Sequence, residues 1–241
     1  VSAVLVTVTL MYRTEGMKLC LSQIRMYKRM LQSILKIGLP AGFEAIMYSI
    51  SNIIVQVSIN NFGVDTMAAW TAYSKIDFIF WMINSAFGIS VMTFVGQNYG
   101  AGKWDRIRRG TKICLGMALI SAVSVSIILM SAERFLFGIF VNDVGVVEIG
   151  IRMMNVIAPA YLLFAFIEVF SGALRAQGAV VVSTLITMVG ICVLRMIWVT
   201  LVAAHGTLEQ VIICYPITWA AGALAMSIYY IYKQRKIFQA R

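Results

Sequence analysis

Five ionisable residues lie inside long apolar runs of the sequence, where a charge is costly unless it meets a partner or water. They are Glu44, Lys75, Asp77, Glu168 and Arg195. Such residues can bind an ion, relay a proton or hold helices together. We estimate the depth of each residue in the membrane from a rise of about 1.5 Å per residue along its helix. By this count Glu44 and Glu168 lie at a similar depth, and Asp77 and Arg195 lie at depths that allow an ion pair.

Polar residues also recur at every fourth position near the start of this apolar region. Glu44, Tyr48, Asn52, Gln56 and Asn60 trace a stripe that winds slowly around a helix. In apolar surroundings the stripe must face other helices or water. It therefore indicates either the wall of a cavity for a substrate or ion, or a row of hydrogen bonds between packed helices.

The elements that position these residues are membrane-spanning helices. Of the 241 residues, 61% are hydrophobic and 12% are charged, far from the composition of a soluble domain. About 20 apolar residues cross a bilayer, and open strands would leave backbone groups unpaired in lipid. We therefore predict an all-α membrane protein. Its six complete transmembrane helices are predicted over residues 34–60, 68–96, 113–130, 149–174, 180–204 and 211–232.

The remaining segments complete the predicted organisation. Residues 1–13 hold too few apolar residues to span and are predicted to be the end of a truncated transmembrane helix. Residues 14–33 are predicted to form an amphipathic linker on the membrane surface. Residues 34–232 form the six-helix unit, and residues 233–241 form a basic tail.

The charge pattern predicts an orientation. The net charge is +10, and most of the 20 Lys and Arg lie in the gaps between alternate apolar runs. By the positive-inside rule, loops 14–33, 97–112 and 175–179 and the C-terminus are cytoplasmic, which we expect to be at the plasma (inner) membrane. The basic residues lie in short loops between membrane-spanning runs and are not gathered on one folded, water-facing surface. We therefore expect them to contact anionic lipid headgroups and not nucleic acid.

Motifs for other chemistries are incomplete. The stretch "VGQNYGAGKWDRIRRG", residues 95–110, resembles a phosphate loop in its glycines, but Trp104 follows Lys103 where such a loop needs Ser or Thr. The four cysteines show no metal-binding spacing, so we expect no metal site and no cofactor. A membrane enzyme using Glu44, Asp77 or Glu168 as acid or base is a weaker alternative, because no His-rich or paired-Asp motif accompanies them.

Three stretches carry a family resemblance. They are "KIGLPAGFEAIMYSISNIIVQVSINNFG", "AAWTAYSKIDFIFWMINSAFGISVMTFVGQNYGAGKWDRIRRG" and "EVFSGALRAQG". Together they resemble the multidrug and toxic compound extrusion (MATE) family of secondary transporters. The resemblance implies one lobe, the C-terminal one, of a twelve-helix, two-lobe transporter whose N-terminal lobe is missing from this chain.

The resemblance also implies a function. Family members export small amphipathic or cationic compounds by antiport against inward movement of protons or sodium ions, which would be the coupling ion here. A lipid-linked saccharide flippase of related architecture is the alternative, although Lys75 and Arg195 offer little positive charge for a diphosphate. Some family members couple sodium through two carboxylates, at positions that fall on Tyr48 and Phe164 in this sequence.

Several residues receive specific expectations from their positions. We expect Asn84 to face the cavity with Asp77 and Arg195, and Tyr73, Trp81 and Trp198 are candidates for stacking on a cation. Structural roles at the inner loops are expected for Glu168, Arg175, Gly96, Gly100 and Gly102, with Glu168 placed near Arg175 on its own helix. Pro159 is a hinge candidate. Ala176 stands where the family motif usually has glycine, which predicts a relaxed backbone approach there.

Overall fold

The computed structural model describes residues 2–12, 25–202 and 206–239, and in these ranges the regular structure is entirely helical. The helices are α1 (Ser2–Tyr12), α2 (Lys28–Asn60), α3 (Val64–Gly100), α4 (Trp104–Ser131), α5 (Glu133–Gly138), α6 (Val144–Ile157), α7 (Tyr161–Ala176), α8 (Val180–Thr187), α9 (Leu194–Ile197), α10 (Leu208–Ile212) and α11 (Cys214–Gln239). Within the described ranges, six helical spans are long and apolar enough to cross a membrane. The prediction of an all-α membrane protein with six complete crossings is confirmed.

The chain divides into two compact units, which are Val1–Leu39 and Pro40–Arg241. The first contains α1 and the first turns of α2. Helix α1 has 11 residues, too few to cross a bilayer. The second unit contains the rest of α2, all later helices and every site described below.

The helices extend beyond the apolar runs that predict them. Helix α4 begins at Trp104, so most of the basic segment 97–112 is helical and only a short turn around residues 101–103 separates α3 from α4. Arg and Lys are strong helix formers, and Asp105 in the first turn favours the helix start. Likewise α2 begins at Lys28 within the predicted linker, and α11 continues to Gln239 within the predicted tail. Residues 14–24 of that linker lie outside the described residues.

Glycine shapes both turns at the basic ends of the helices. Lys103 N donates to Asn98 O at 2.8 Å after α3, and Ala179 N donates to Leu174 O at 2.9 Å after α7. Each bond closes over a glycine with positive φ, 67° at Gly102 and 79° at Gly178. This is the Schellman geometry, which requires a left-handed residue. A Cβ at Gly100 would meet open space, so that glycine is not required by packing.

Helix α7 is the central element of the second unit. It packs against α3, α4 and α11, and most of its residues are buried. Where it crosses α3, a Cβ at Gly172 would lie 2.8 Å from the Gly88 carbonyl oxygen and 2.9 Å from Val91 Cγ1. Small residues at such crossings let membrane helices approach closely. This close crossing fixes the distance between α3, which contributes half of the residues that line the candidate site, and α7, which carries Tyr161.

The alanine that replaces the usual motif glycine is accommodated. Ala176 Cβ lies 4.0 Å from the position that a Cβ on Gly96 would take, which is ordinary van der Waals contact. A Cβ at position 96 would therefore also fit, so α3 and α7 do not approach tightly at this point. This spacing agrees with the relaxed backbone approach expected at Ala176.

Candidate functional site

Asp77 on α3 is held by aromatic donors. Trp81, one turn further along the same helix, donates its Nε1–H to Asp77 Oδ2 at 2.5 Å. The Tyr161 hydroxyl donates to Asp77 Oδ1, and the Tyr73 and Tyr161 hydroxyl oxygens are 3.1 Å apart. Both carboxylate oxygens thus accept hydrogen bonds, which fixes the plane of the carboxylate.

The break in the fourth crossing positions Tyr161. Helix α6 ends at Ile157, the 3₁₀ turn Ala158–Ala160 follows, and α7 begins at Tyr161. Proline lacks the amide hydrogen that a continuous helix would use, so Pro159 sets the break. The Ser126 hydroxyl of α4 donates to the Ala158 carbonyl at 2.5 Å, which ties the break to α4. The hinge role of Pro159 stays a prediction.

A cleft of about 390 Å³ opens beside Asp77. Its walls come from α2, α3, α6 and α11, and most of its side chains are aromatic or carry an amide or hydroxyl. The lining residues are Tyr48, Asn52, Gln56, Trp70, Tyr73, Ser74, Asp77, Phe78, Trp81, Ile157, Tyr215 and Trp219. Asp77 is the one charged residue among these described lining residues.

Ring contacts hold the walls of the cleft in place. Trp81 meets Phe164 edge-to-face with ring centroids 4.7 Å apart, and Trp219 contacts both rings. Tyr161 stacks on Phe80 with centroids 3.8 Å apart. Aromatic pairs of this kind add to the stability gained from burial. The cleft is consequently a preformed cavity whose polar groups are set in a rigid frame.

Arg195 lies behind this wall and is fully buried. Its Nη1 donates to Asn52 Oδ1 at 3.1 Å, and its guanidinium carbon lies 4.3 Å from the Tyr215 ring centroid and 5.7 Å from that of Tyr48. Its Nε and Nη2 have no hydrogen-bond partner among the described residues. The cation therefore supports three cleft residues from behind by stacking and one hydrogen bond.

The backbone around Arg195 departs from the α-helix. The short α9 stands between two π-helical segments, Met188–Val193 and Trp198–Val202. Runs of π-helix are rare and are frequent at functional sites. Because each π turn rotates the following residues around the helix axis, periodicity in the sequence cannot fix the direction in which Arg195 points.

The ion pair that depth allows between Asp77 and Arg195 does not form. Asp77 binds Tyr161 and Trp81, while Arg195 binds Asn52. Helix α3 packs against α4, α6 and α7, whereas the crossing that contains Arg195 packs against α7 and α11. Matching depth brings two residues together only on neighbouring helices, and these two helices are separated.

A second polar cluster lies toward the basic ends of the helices. Arg175 Nη2 donates to both Glu44 oxygens, each at 2.8 Å, and the Thr184 hydroxyl donates to Glu44 Oε2 at 2.9 Å. Arg175 Nε also donates to Ser183 Oγ at 3.3 Å. This arrangement ties α2, α7 and α8 together, and it places the first residue of the predicted stripe in an ion pair outside the cleft.

Glu168 takes a different place from the one expected. Arg175 forms its ion pair with Glu44, and Glu168 has no hydrogen-bond partner among the described residues. The Glu168 side chain instead lies against Gly88, where a Cβ would come 2.1 Å from its Oε1. It remains within electrostatic range of both Arg175 and Glu44. The predicted shared layer of Glu44 and Glu168 is therefore present, but Arg175 bonds only one of the two.

The other predicted cavity residues divide into two groups. Tyr48, Asn52 and Gln56 line the cleft, and Gln56 also donates to Asn60 Oδ1 at 2.8 Å. Asn84 is buried in α3 and is not among the described lining residues. The expectation that Asn84 faces this cavity is not met, because it lies nearly two turns beyond Asp77 toward the close crossing with α7.

Sequence reasoning missed part of the cleft. Tyr215 and Trp219 on α11 and Trp70 on α3 line it, although no local motif marks them. Their spacing of four residues on α11 places Tyr215 and Trp219 on one face, which is a signal that sequence offers. The sequence does not show, however, that this face of α11 lies between Asp77 and Arg195, and only that position marks it as part of the site.

Six apolar crossings and a rigid, aromatic-lined cleft that contains one carboxylate define a polytopic helical membrane protein of the transporter class. The MatE family model matches residues 40–201. The chain therefore belongs to the MatE family of multidrug and toxic compound extrusion transporters, and it is not an enzyme.

Similarity to individual proteins agrees with this assignment. The chain is 25% identical over 219 residues to the probable multidrug resistance protein YoeA of Bacillus subtilis (strain 168), covering 89% of this chain and 47% of that protein. It is 22% identical over 158 residues to the human multidrug and toxin extrusion protein 1, covering 63% of this chain and 28% of the relative. The chain spans about half the length or less of these relatives.

Solved structures match the fold of nearly the whole chain although their sequence identity to it is low. The chain superposes with a TM-score of 0.87 on an outward-facing multidrug resistance MATE family transporter, at 15% identity. The match covers 99% of this chain and 54% of that structure. The same crossings therefore make up about half of the matched transporter.

Proposed function

We propose that this chain is the C-terminal lobe of a secondary transporter that exports small amphipathic organic cations, and that a second six-helix lobe completes the transport pathway. The observation that carries the proposal is the cleft of about 390 Å³ that combines aromatic faces with the carboxylate of Asp77. The coverage of about half of the relatives supports the two-lobe arrangement.

The lining chemistry favours a cation over an anion. Aromatic ring faces attract organic cations, and this attraction strengthens when water is excluded. Asp77 adds a negative charge at the wall, and the amides of Asn52 and Gln56 can accept hydrogen bonds from a ligand. A lipid-linked diphosphate would instead need positive charge, and no Lys or Arg is among the described residues that line the cleft.

The same carboxylate offers a route to coupling. A proton or a sodium ion at Asp77 removes the negative charge that holds an organic cation, so the ion and the substrate compete for one site. Antiport then follows when the two ligands bind at different steps of an alternating-access cycle. Inward flow of protons or sodium ions would release the cation on the outer side, with the basic helix ends cytoplasmic at the plasma membrane.

Efflux of a fluorescent cationic dye tests this function in cells that express the full-length protein. A charge about 5 Å from a bound cation is worth about 3 kcal/mol at an effective dielectric constant near 20. Allowing for partial replacement by solvent, Asp77→Asn is expected to lower dye affinity at least about tenfold. Asp65→Asn is the matched control, because Asp65 lies exposed in the first turn of the same helix.

Collapse of the proton gradient and of the sodium gradient in separate experiments identifies the coupling ion. Loss of efflux with one gradient alone supports antiport by that ion. Equal efflux by the Asp77→Asn and Asp65→Asn variants, at equal amounts in the membrane, would remove Asp77 from the substrate site. Absence of efflux under either gradient would contradict the proposal that the protein exports cations.

A further inference from the structure

A basic pocket of about 450 Å³ lies at the basic ends of α4 and α11. It is lined by Arg108, Lys112, Tyr230, Ile231, Gln234 and Arg235. It shares no lining residue with the cleft, and Tyr230 is 11 residues beyond Trp219 on α11, or about 16 Å along the helix. The pocket is thus a separate feature of the molecule.

The helix packing leaves a gap between α4 and α11 at this pocket. Helices α4 and α11 both pack against α7 but make hardly any direct contact with each other. On α11, Leu224, Ile228 and Ile231 are 64%, 60% and 50% exposed, and they continue the helix face that Arg235 extends. An apolar strip therefore runs along α11 from the membrane interior to the basic pocket.

The pocket chemistry suits a phosphate group. Three cationic side chains converge on it, and no Asp or Glu is among its described lining residues. Tyr230 is 7% exposed, and its hydroxyl lies near Thr111 and Arg108 but forms no hydrogen bond of ordinary geometry with the described residues. An anion in this pocket can accept hydrogen bonds from Arg, Lys and the Tyr230 hydroxyl.

We infer that this pocket binds the phosphate headgroup of an anionic phospholipid, with the acyl chains lying along the exposed face of α11. Basic pockets between membrane helices bind such headgroups, and the adjacent apolar strip accounts for the chains that a free anion lacks. The bound lipid bridges α4 and α11. It also stabilises the α11 end beside Gln177, whose side chain and carbonyl already accept from Gln234 and Lys233.

Lipid titration of the purified full-length protein in non-ionic detergent tests the site. Native mass spectrometry and thermal unfolding are followed with phosphatidylglycerol, with phosphatidylcholine and with inorganic phosphate. Phosphatidylglycerol is expected to remain bound and to raise the unfolding temperature, while the other two have little effect. Equal stabilisation by inorganic phosphate would overturn the lipid assignment in favour of a free anion, and equal stabilisation by phosphatidylcholine would remove the phosphate pocket.

Two charge-matched variants separate the pocket from general surface attraction. The pocket variant carries Arg108→Gln, Lys112→Gln and Arg235→Gln, and the control carries Arg106→Gln, Arg109→Gln and Lys236→Gln at exposed positions on the same helices. Phosphatidylglycerol affinity is expected to fall about tenfold or more in the pocket variant and less than about threefold in the control. Equal losses in both variants, or none in the pocket variant, would overturn the site.

A single substitution answers the same question if the pocket variant is poorly folded. Tyr230→Phe removes the hydroxyl and keeps the ring that stacks on Phe170 with centroids 4.5 Å apart. It is expected to weaken phosphatidylglycerol binding about threefold without lowering the unfolding temperature of the lipid-free chain. Unchanged lipid affinity in this variant would show that the hydroxyl does not bind the headgroup and would overturn the proposed geometry.

Discussion

The crossing of α3 and α7 predicts that one added methyl group destabilises the fold. In Gly172→Ala, the new Cβ lies 2.8 Å from the Gly88 carbonyl oxygen and 2.9 Å from Val91 Cγ1. A carbon atom needs more than about 3.3 Å from a carbonyl oxygen. Because the oxygen belongs to the backbone, no rotamer change relieves the contact, and the two helices must move apart by about 0.5 Å.

The size of the effect follows from two opposing contributions. Overpacking of a well-packed core costs about 1–3 kcal/mol. Replacing glycine by alanine in a helix returns up to about 1 kcal/mol through helix propensity. With the full return, the free energy of unfolding is expected to fall by about 0–2 kcal/mol in Gly172→Ala, which is about 1–3 kcal/mol below a glycine-to-alanine change that causes no clash.

Gly116→Ala on α4 provides a matched control, because a Cβ there meets nothing within 4 Å. It keeps the propensity gain without the clash, so it is expected to leave stability unchanged or raise it by up to about 1 kcal/mol. Thermal unfolding of both variants and the parent chain, purified in one detergent, measures the difference. Equal unfolding temperatures in the two variants would refute the close crossing that the structure shows.

Two further predictions concern the polar clusters. Glu44→Gln weakens the two-oxygen contact with Arg175, so it is expected to lower the free energy of unfolding by about 1–3 kcal/mol, less than for a dry ion pair because the Arg175 side chain is 30% exposed. The same change at Glu148, whose pair with Arg134 is largely exposed, is expected to have little effect, and equal losses would contradict the assignment. Arg195→Lys keeps the charge but loses the planar stacking on Tyr215, so dye affinity is expected to fall about threefold to tenfold; parent-like binding by this variant would show that charge alone suffices.

The crossings themselves were predictable from the sequence. In lipid every backbone N–H and C=O group needs a hydrogen-bond partner within the protein. An apolar run long enough to span the bilayer is therefore almost always a helix. The helix ends were less predictable, because basic residues such as Arg106 and Arg109 form helix as readily as they form loops. The predicted loop 97–112 is therefore mostly the first part of α4.

The partners of the ionisable residues could not be read from the sequence. Depth counted along the helix axis placed Glu44 beside Glu168, but the Arg175 side chain extends from the end of α7 to the same layer and binds Glu44. Depth also allowed Asp77 to pair with Arg195, yet their helices are not neighbours. Rotation about each helix axis and the order of helices in the bundle decide such contacts, and the π segments beside Arg195 alter that rotation further.

The polar stripe of α2 connects the cluster around Arg175 with the cluster around Arg195. Glu44 binds Arg175 on α7, while Tyr48 and Asn52 meet Arg195 on the fifth crossing. Because these residues share one face, their contacts fix the rotation of α2 at two levels, about 12 Å apart by the helical rise from Glu44 to Asn52. A rotation of α2 that moved Asn52 off Arg195 would also strain the Glu44 ion pair. The Glu44–Arg175 cluster therefore stabilises the wall of the cleft although it contributes no residue to the lining.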